Sequence, residues 1–335
     1  MRDPLISVLL PVRDAATTLT SALRSVQRQS EPRFECIAVD DGSSDASLEL
    51  LRAHARTDPR FRVVPTSPQG IVGALEEGLA LCRGRYVARM DADDLMHRTR
   101  LARQLAAIEQ GGALAGVGCH VRLFPRPRLT DGRLAYERWL CSLRTDEDIR
   151  RDAFVECPLA HPTFFLRREV LTAHGYADRG WPEDYDLVLR LLGGGERLGV
   201  VPEPLLLWRD GPARLSRTGA AYRLERFTAC KAYYLAHNFL AHESSYVLWG
   251  YGDTGRALSR ALRELGKEPS HIIELHPGRV GQRIWGAPVV PPEKLDGLRT
   301  ARIVVSVAGA EARRLIRAEL ARLSFSEGRD YVCAA

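Results

Sequence analysis

This 335-residue chain has three lysines, no paired cysteines and no long apolar run, and each shortage excludes something. Without a stretch of about 18 apolar residues, no membrane-spanning helix is expected. Its seven cysteines (Cys36, Cys82, Cys119, Cys141, Cys157, Cys230 and Cys333) are scattered, odd in number and never spaced C-x-x-C. That argues against a disulfide framework and a structural zinc site, and fits a reducing cytoplasm. Met1-Arg2-Asp3-Pro4 passes straight into an apolar strand-like run, so no secretion signal is expected. The net charge of +6 is almost all arginine, because only Lys231, Lys267 and Lys294 carry an ammonium. Arginine spread along the whole chain is not a binding stripe, so no nucleic-acid partner is expected. Such a charge still allows peripheral association with an acidic membrane surface at its cytoplasmic face.

What is present is an alternation of strands and helices. Ile6 to Leu10, Cys36 to Val39, Phe61 to Val64 and Tyr86 to Met90 read as short buried strands. Helical spacing of Leu19, Leu23 and Val26, then of Leu48, Leu51 and Ala55, then a helix over 71–82, fills the gaps, with Thr17 or Thr18 and then Asp45 as caps. This is an α/β pattern implying a mainly parallel sheet with helices on both faces. Beyond residue 113 the alternation loosens around Pro125, Pro127, Pro158, Pro162 and Pro182. A helix over 222–239 leads to a fresh strand at Tyr246, which places a domain boundary near residue 242.

Ligands of such sheets sit beyond the carboxyl ends of the strands, and acidic clusters fall there. Asp91-Ala92-Asp93-Asp94 follows the fourth strand. Two carboxylates one residue apart can share a hard divalent cation with a substrate phosphate. Helix capping by Asp93 or Asp94, ahead of a helix near Thr99, reads equally well. Asp40-Asp41-Gly42-Ser43-Ser44-Asp45 follows the second strand, with Asp45 read as a cap and Asp41 as a contact to a nucleobase. Glu183-Asp184-Tyr185-Asp186, after Pro182, opens an apolar helix. The two readings there are dipole-favoured acids and a general base for an acceptor hydroxyl.

Taken together and in order, the runs ISVLLPVRDAATTLTSALRSVQRQS, VDDGSSD and GRYVARMDADDL and the Glu183-Asp184 pair resemble family 2 glycosyltransferases over residues 4 to 220. The resemblance implies a GT-A-type nucleotide-diphospho-sugar transferase domain over 1–241. It makes Pro11, Val12, Arg13 and Asp14 the lining of a nucleotide pocket, Asp41 the base contact, Asp91 a ribose or metal contact and Asp93 the principal metal ligand. Mg2+ or Mn2+ is the implied cofactor. Asp184 becomes the catalytic base of an inverting transfer, with Glu183 and His161 on the acceptor side and Arg214 and Arg217 as diphosphate contacts. The implied partners are a nucleotide-diphosphate sugar and a glycan or lipid-linked saccharide acceptor, with the enzyme cytoplasmic or peripheral at the inner membrane face. Arg13-Asp14 stands where the family usually has Tyr-Asn, and Glu77 where it usually has Asn. Every carboxylate with a transfer role precedes residue 190, from which a dispensable C-terminal domain is expected.

Residues 242–335 read as a small Rossmann-like α/β domain. Gly250, Gly252 and Gly255 form a G-x-G-x-x-G between a strand and a helix, and Glu274 ends the next strand, the pattern of a dinucleotide-type fingerprint, with a nucleotide or nucleotide sugar as the expected ligand and not a redox cofactor. A structural docking module is the alternative. For the whole chain, the competing functions are a non-catalytic sugar-nucleotide sensor and an NAD-dependent sugar oxidoreductase. The second leaves the N-terminal acids unexplained.

Overall fold

The computed structural model describes residues 3–212 and 214–335. Met1 and Arg2, where the reading against a secretion signal begins, lie outside them. Two compact units are present. One comprises the chain up to Ile149 with Leu159–Arg179 and Arg190–Arg214; the other comprises Arg150–Pro158, Gly180–Leu189 and Leu215–Ala335.

The first unit is built on eight strands: β1 (Ile6–Val12), β2 (Phe34–Asp41), β3 (Phe61–Thr66), β4 (Tyr86–Arg89), β5 (Leu95–Met96), β6 (Leu114–Phe124), β7 (Phe165–Arg167) and β8 (Arg197–Arg209). They form one sheet in the order β3-β2-β1-β4-β7-β6-β8-β5. The first four run parallel, β7 runs against β4 and β6, and β6 pairs parallel with β8, so the sheet is mixed and mainly parallel. All seven residues of β1 and all eight of β2 are buried, as expected when helices cover both faces of a parallel sheet. The helix Ala16–Gln27 turns Leu19, Ala22, Leu23 and Val26 onto one face, and these join Val8, Leu10, Cys36 and Ala38 in the core. Because β2 and β4 flank β1 on opposite sides, the direction of winding reverses at β1. The crevice of that reversal opens beside the carboxyl ends of β1 and β4.

Where the sequence reading loosened, two long strands are found. β6 and β8 are 11 and 13 residues long, and their pairing slips register at Cys119 and His120. Bulges break the period-two alternation, and Pro202 and Pro204 within β8 read as loop signals, which hid this pair. The caps also differ from expectation. The first helix is capped at Ala15 and not by Thr17 or Thr18, and Thr99 precedes the helix Arg100–Gln110 with its hydroxyl on His97 Nδ1 (2.9 Å) and not on the helix.

The second unit carries a six-stranded sheet of β9 (Ser245–Trp249), β10 (Glu268–Ile273), β11 (Arg283–Ile284), β12 (Ala287–Val290), β13 (Ile303–Val305) and β14 (Tyr331–Cys333). Its order is β11-β12-β10-β9-β13-β14, parallel except for β11. The helix Asp253–Glu264 packs Leu258 and Leu262 against one face, and the helix Ala310–Arg322 packs Ile316 and Leu320 against the other. The helical segment expected over 222–239 is a helix Leu224–Tyr234 continued by one wider turn, Leu235–Phe239. No described helix is long and apolar enough to cross a membrane. No disulfide joins the cysteines among the described residues, and all but the half-buried Cys141 are buried. Burial pushes the thiols of Cys82 and Cys333 up to about 12 and that of Cys119 up to about 11.

Candidate functional site

The first unit gathers its acids at the crevice beside β1. Past the end of β4 the chain turns through Asp91, Asp93 and Asp94, each of which offers one carboxylate oxygen within 4.8 Å of those of the other two. The turn is fixed from several sides. Thr18 Oγ1 donates to the Ala92 carbonyl (3.1 Å), and fully buried Arg100 donates through Nη2 to the Arg89 carbonyl (2.9 Å) and through Nε to Gln104 Oε1 (2.9 Å). Arg209 Nε, from the end of β8, donates to the Asp93 carbonyl at 2.7 Å.

The three carboxyls are in different electrostatic states. Burial opposes the charge of Asp91, but Arg89, paired with it directly, together with His161 and Arg214, holds its carboxyl below the usual range. Asp93 is raised to about 6 by burial and then by the charge of Asp91. Asp94 is pushed well above its ordinary value by burial and by both neighbours. Asp94 accepts the Arg209 N–H through Oδ1 (2.7 Å), while its buried Oδ2 has no partner among the described residues. It therefore caps no helix; it ties β8 to the acidic turn. Asp94→Ala, which strands that N–H, is expected to cost about 1–3 kcal/mol of stability, whereas Asp94→Asn keeps the bond and costs less. Chemical denaturation of the two variants checks this order.

The β1 and β2 ends interlock. Asp14 sits at φ 47°, a left-handed conformation that Asp and Asn tolerate best among side-chain residues. Its Oδ1 accepts from the Ser44 N–H (2.7 Å) and hydroxyl (3.0 Å). Arg13 reaches Asp41 at 3.3 Å, and Asp41 also accepts the backbone N–H groups of Gln69 (2.7 Å) and Gly70 (3.0 Å) at the start of the helix Gly70–Leu81. Asp45 accepts from Ser47 N and Ala16 N, both at 2.9 Å, and so fastens the starts of two helices, although the capping position itself is Ala46. Asp40 was passed over in the sequence. It is buried, and its Oδ1 has no partner among the described residues. Pro11 and Val12 end β1 beside it, with Val12 in register with Asp40.

His161 is buried against Phe164 and Tyr176, with Nε2 3.2 Å from the Tyr176 hydroxyl. Arg214 stacks 4.4 Å above the Trp208 ring and acts on all three acids of the turn. Arg217 is exposed on a short helix, Leu215–Thr218, of the second unit.

The model of the family described as "Glycosyl transferase family 2" matches residues 7–175, half of the chain. The chain belongs to glycosyl transferase family 2. It is 25% identical over 225 residues to the glycosyltransferase EpsJ of Bacillus subtilis (strain 168), covering 64% of this chain and 63% of that one. It is 30% identical over 224 residues to the O-antigen biosynthesis protein RfbC of Myxococcus xanthus, covering 65% of this chain and 17% of that one. The chain thus spans less than two thirds of either relative. Among solved structures, the mannosyltransferase PcManGT from Pyrobaculum calidifontis, in complex with GDP-Man and Mn2+, shares the fold with a TM-score of 0.51 and 19% identity, over 79% of this chain and 70% of that one. The architecture is accordingly of the GT-A type.

In this family 2 glycosyltransferase the Glu183 cluster belongs to the second unit, at the start of the helix Glu183–Gly193. Its acids are sorted by their partners. Glu183 is buried and accepts the Tyr222 hydroxyl at 2.5 Å. Asp186 is fully buried and accepts from Trp181 Nε1 (2.8 Å) and the Tyr234 hydroxyl (2.7 Å). Asp184 alone of the three is partly exposed, and its Oδ1 accepts the Tyr185 N–H at 2.8 Å.

Tyr234 lies on the helix Leu224–Tyr234, which with its following turn packs Ala232, Leu235, Ala236 and Leu240 against Tyr246, Leu248, Leu258 and Leu262. Cutting the chain near residue 240 would uncover that apolar surface under the partners of Asp186. The truncated protein is therefore expected to fold poorly, against the expectation that the last domain is dispensable. Circular dichroism and gel filtration of the truncation test this, and a monodisperse, fully active fragment would contradict it.

Proposed function

We propose that the chain is an inverting glycosyltransferase that moves a sugar from a nucleotide-diphosphate sugar to a hydroxyl of a glycan or lipid-linked saccharide. The observation that carries this reading is the trio of carboxylates packed at the end of β4 beside the winding reversal. Hard oxygen donors, one of them with an oxygen that has no partner among the described residues, fit Mg2+ or Mn2+, which Asp91 and Asp93 would hold with Asp94 behind them. When bound, such an ion neutralises charge on a departing diphosphate. The Mn2+ and GDP-Man of PcManGT support the same assignment.

The chain's own residues supply the rest. Pro11 to Asp14 and Asp41 line the nucleotide pocket, with Asp40 offering a further buried acceptor. Arg214, already beside the acids, contacts the diphosphate. Asp184 takes the proton of the acceptor hydroxyl while its oxygen bonds to the anomeric carbon and the bond to the diphosphate breaks, which inverts the configuration there. His161 and Glu183 shape the acceptor side. An O-antigen or similar surface glycan is the acceptor class that RfbC suggests. Incubation with a panel of nucleotide sugars, measuring released nucleotide with and without Mn2+, tests the reading. Release from none of them, with or without acceptor glycans, would favour a sugar-nucleotide sensor.

A further inference from the structure

In the sheet of the second unit, β9 lies between β10 and β13, so the winding reverses there too. The carboxyl ends of β9 and β13 therefore flank a crevice of the kind that takes ligands in open parallel sheets. Three glycines border it, for different reasons. Gly250 has φ +98°, and a Cβ on it would lie 2.4 Å from the Val307 side chain. A Cβ on Gly255 would lie 2.1 Å from the Gly250 carbonyl oxygen. Both are required by the fold. Gly252 is not: its φ is −75°, open to any residue, and a Cβ there would meet nothing within 4 Å. It stands at the start of the helix Asp253–Glu264 and, having no side chain, leaves the helix without a side-chain cap bond from this position. What this glycine keeps is open space in front of a helix N-terminus.

A second observation points into the same space. Ser306, just beyond β13, is 3% exposed, and its Oγ has no hydrogen-bond partner among the described residues. Its N–H donates to the Trp249 carbonyl (2.8 Å), so it continues the sheet pairing. Val304, two residues earlier, packs with Leu258 and Leu262, so alternation puts the Ser306 hydroxyl on the side of the helix Asp253–Glu264. Its carbonyl oxygen is 3.0 Å from the Cβ position of Gly250, which sets it at the level of the glycine turn. Buried hydroxyls are normally bonded, and this one awaits an acceptor. At the end of β10, Glu274 is tied by Arg279 (3.0 Å), which also donates to the Tyr251 carbonyl (2.9 Å). The Tyr251 ring meets that of half-exposed Trp285 edge to face.

We propose that this crevice is a second ligand site, separate from the transferase donor site, that binds a nucleotide. The phosphate rests on the open N–H groups beyond Gly252 and accepts from Ser306 Oγ, Glu274 serves the ribose, and the Tyr251–Trp285 pair offers an aromatic surface to the base. The test is calorimetric titration of the full chain with ADP and with UDP, in the wild type and in Gly252→Val, Ser306→Ala and Asp41→Asn. Expected is a binding event that Gly252→Val weakens at least about tenfold, that Ser306→Ala also weakens, and that Asp41→Asn leaves in place. Ser306→Ala removes an unpaired buried hydroxyl from the free protein. Its melting temperature without nucleotide should hold or rise, while the increase on adding nucleotide shrinks, a split that a purely structural serine would not give. Binding that is lost in Asp41→Asn yet unchanged in Gly252→Val and Ser306→Ala would overturn the proposal and leave the transferase reading standing. So would no binding of either nucleotide.

Discussion

Asp184→Asn is expected to reduce sugar transfer by a factor of about a hundred to ten thousand, the usual contribution of a general base, with donor affinity nearly unchanged. The expectation rests on how the three acids of this helix are employed. Glu183 and Asp186 are buried and hold tyrosine hydroxyls and a tryptophan N–H, so their charge is spent on keeping the segment in place. Asp184 is the acid left facing outward, in the first turn of a helix whose dipole favours the ionised form a base needs. Asn matches its shape and cannot accept the proton. Glu183→Gln should do much less, since an amide oxygen can still receive the Tyr222 hydroxyl. Turnover and nucleotide-sugar binding measured on the same preparations separate the roles. Wild-type turnover in Asp184→Asn would move the base off this helix altogether, because Asp186 is too deeply tied to replace it. Lost donor affinity would make Asp184 a binding residue.

The second large effect concerns the acidic turn. Chelation should abolish turnover, and Asp93→Asn should lower it by at least about a hundredfold, the scale of losing several kcal/mol of charge stabilisation. Stability should move the opposite way. Burial and the Asp91 charge raise the Asp93 carboxyl to about 6, above its unfolded value. The sign follows: the folded state binds the extra proton between about pH 4 and 6, so above pH 6 the ionised group opposes folding. Asn removes that opposition, so the metal-free variant should melt higher than the metal-free wild type at pH 7 and gain little from added Mn2+. Full activity in excess EDTA, or a variant that Mn2+ stabilises as strongly as the wild type, would contradict the assignment.

Much of this site was legible because its signals are local. An apolar run followed by Asp-x-Asp, or by Asp-Asp-Gly-Ser, marks a strand end wherever it occurs, and β1 to β4 follow from such runs. The helix of Glu183 was equally plain from Pro182 and its apolar face. What stayed hidden depends on partners distant in the chain. Arg89 and Arg100 look like solvated arginines, yet both are buried under the acidic turn, one neutralising Asp91 and the other holding the backbone beneath it. An arginine inside the apolar run Tyr86-Val87-Ala88-Arg89-Met90 was the only clue. Helix capping by Asp93 or Asp94 stayed open as a reading because the true partner of Asp94, the Arg209 N–H, lies 115 residues away. Likewise, nothing in the spacing shows that Asp186 and Tyr234 belong to one compact unit with the last sheet.

The burial of the thiols bears on how the protein can be labelled. Six of the seven cysteines are shielded from solvent, and desolvation keeps the thiols of Cys36, Cys82, Cys119 and Cys333 in the unreactive protonated form at neutral pH. Maleimide or spin-label reagents should therefore find little besides Cys141 in the folded protein. With Cys141 changed to serine, a single cysteine placed at an exposed position such as Glu77 or Asp253 becomes an addressable probe. Its fluorescence on titration with a nucleotide would report binding in the unit that carries it.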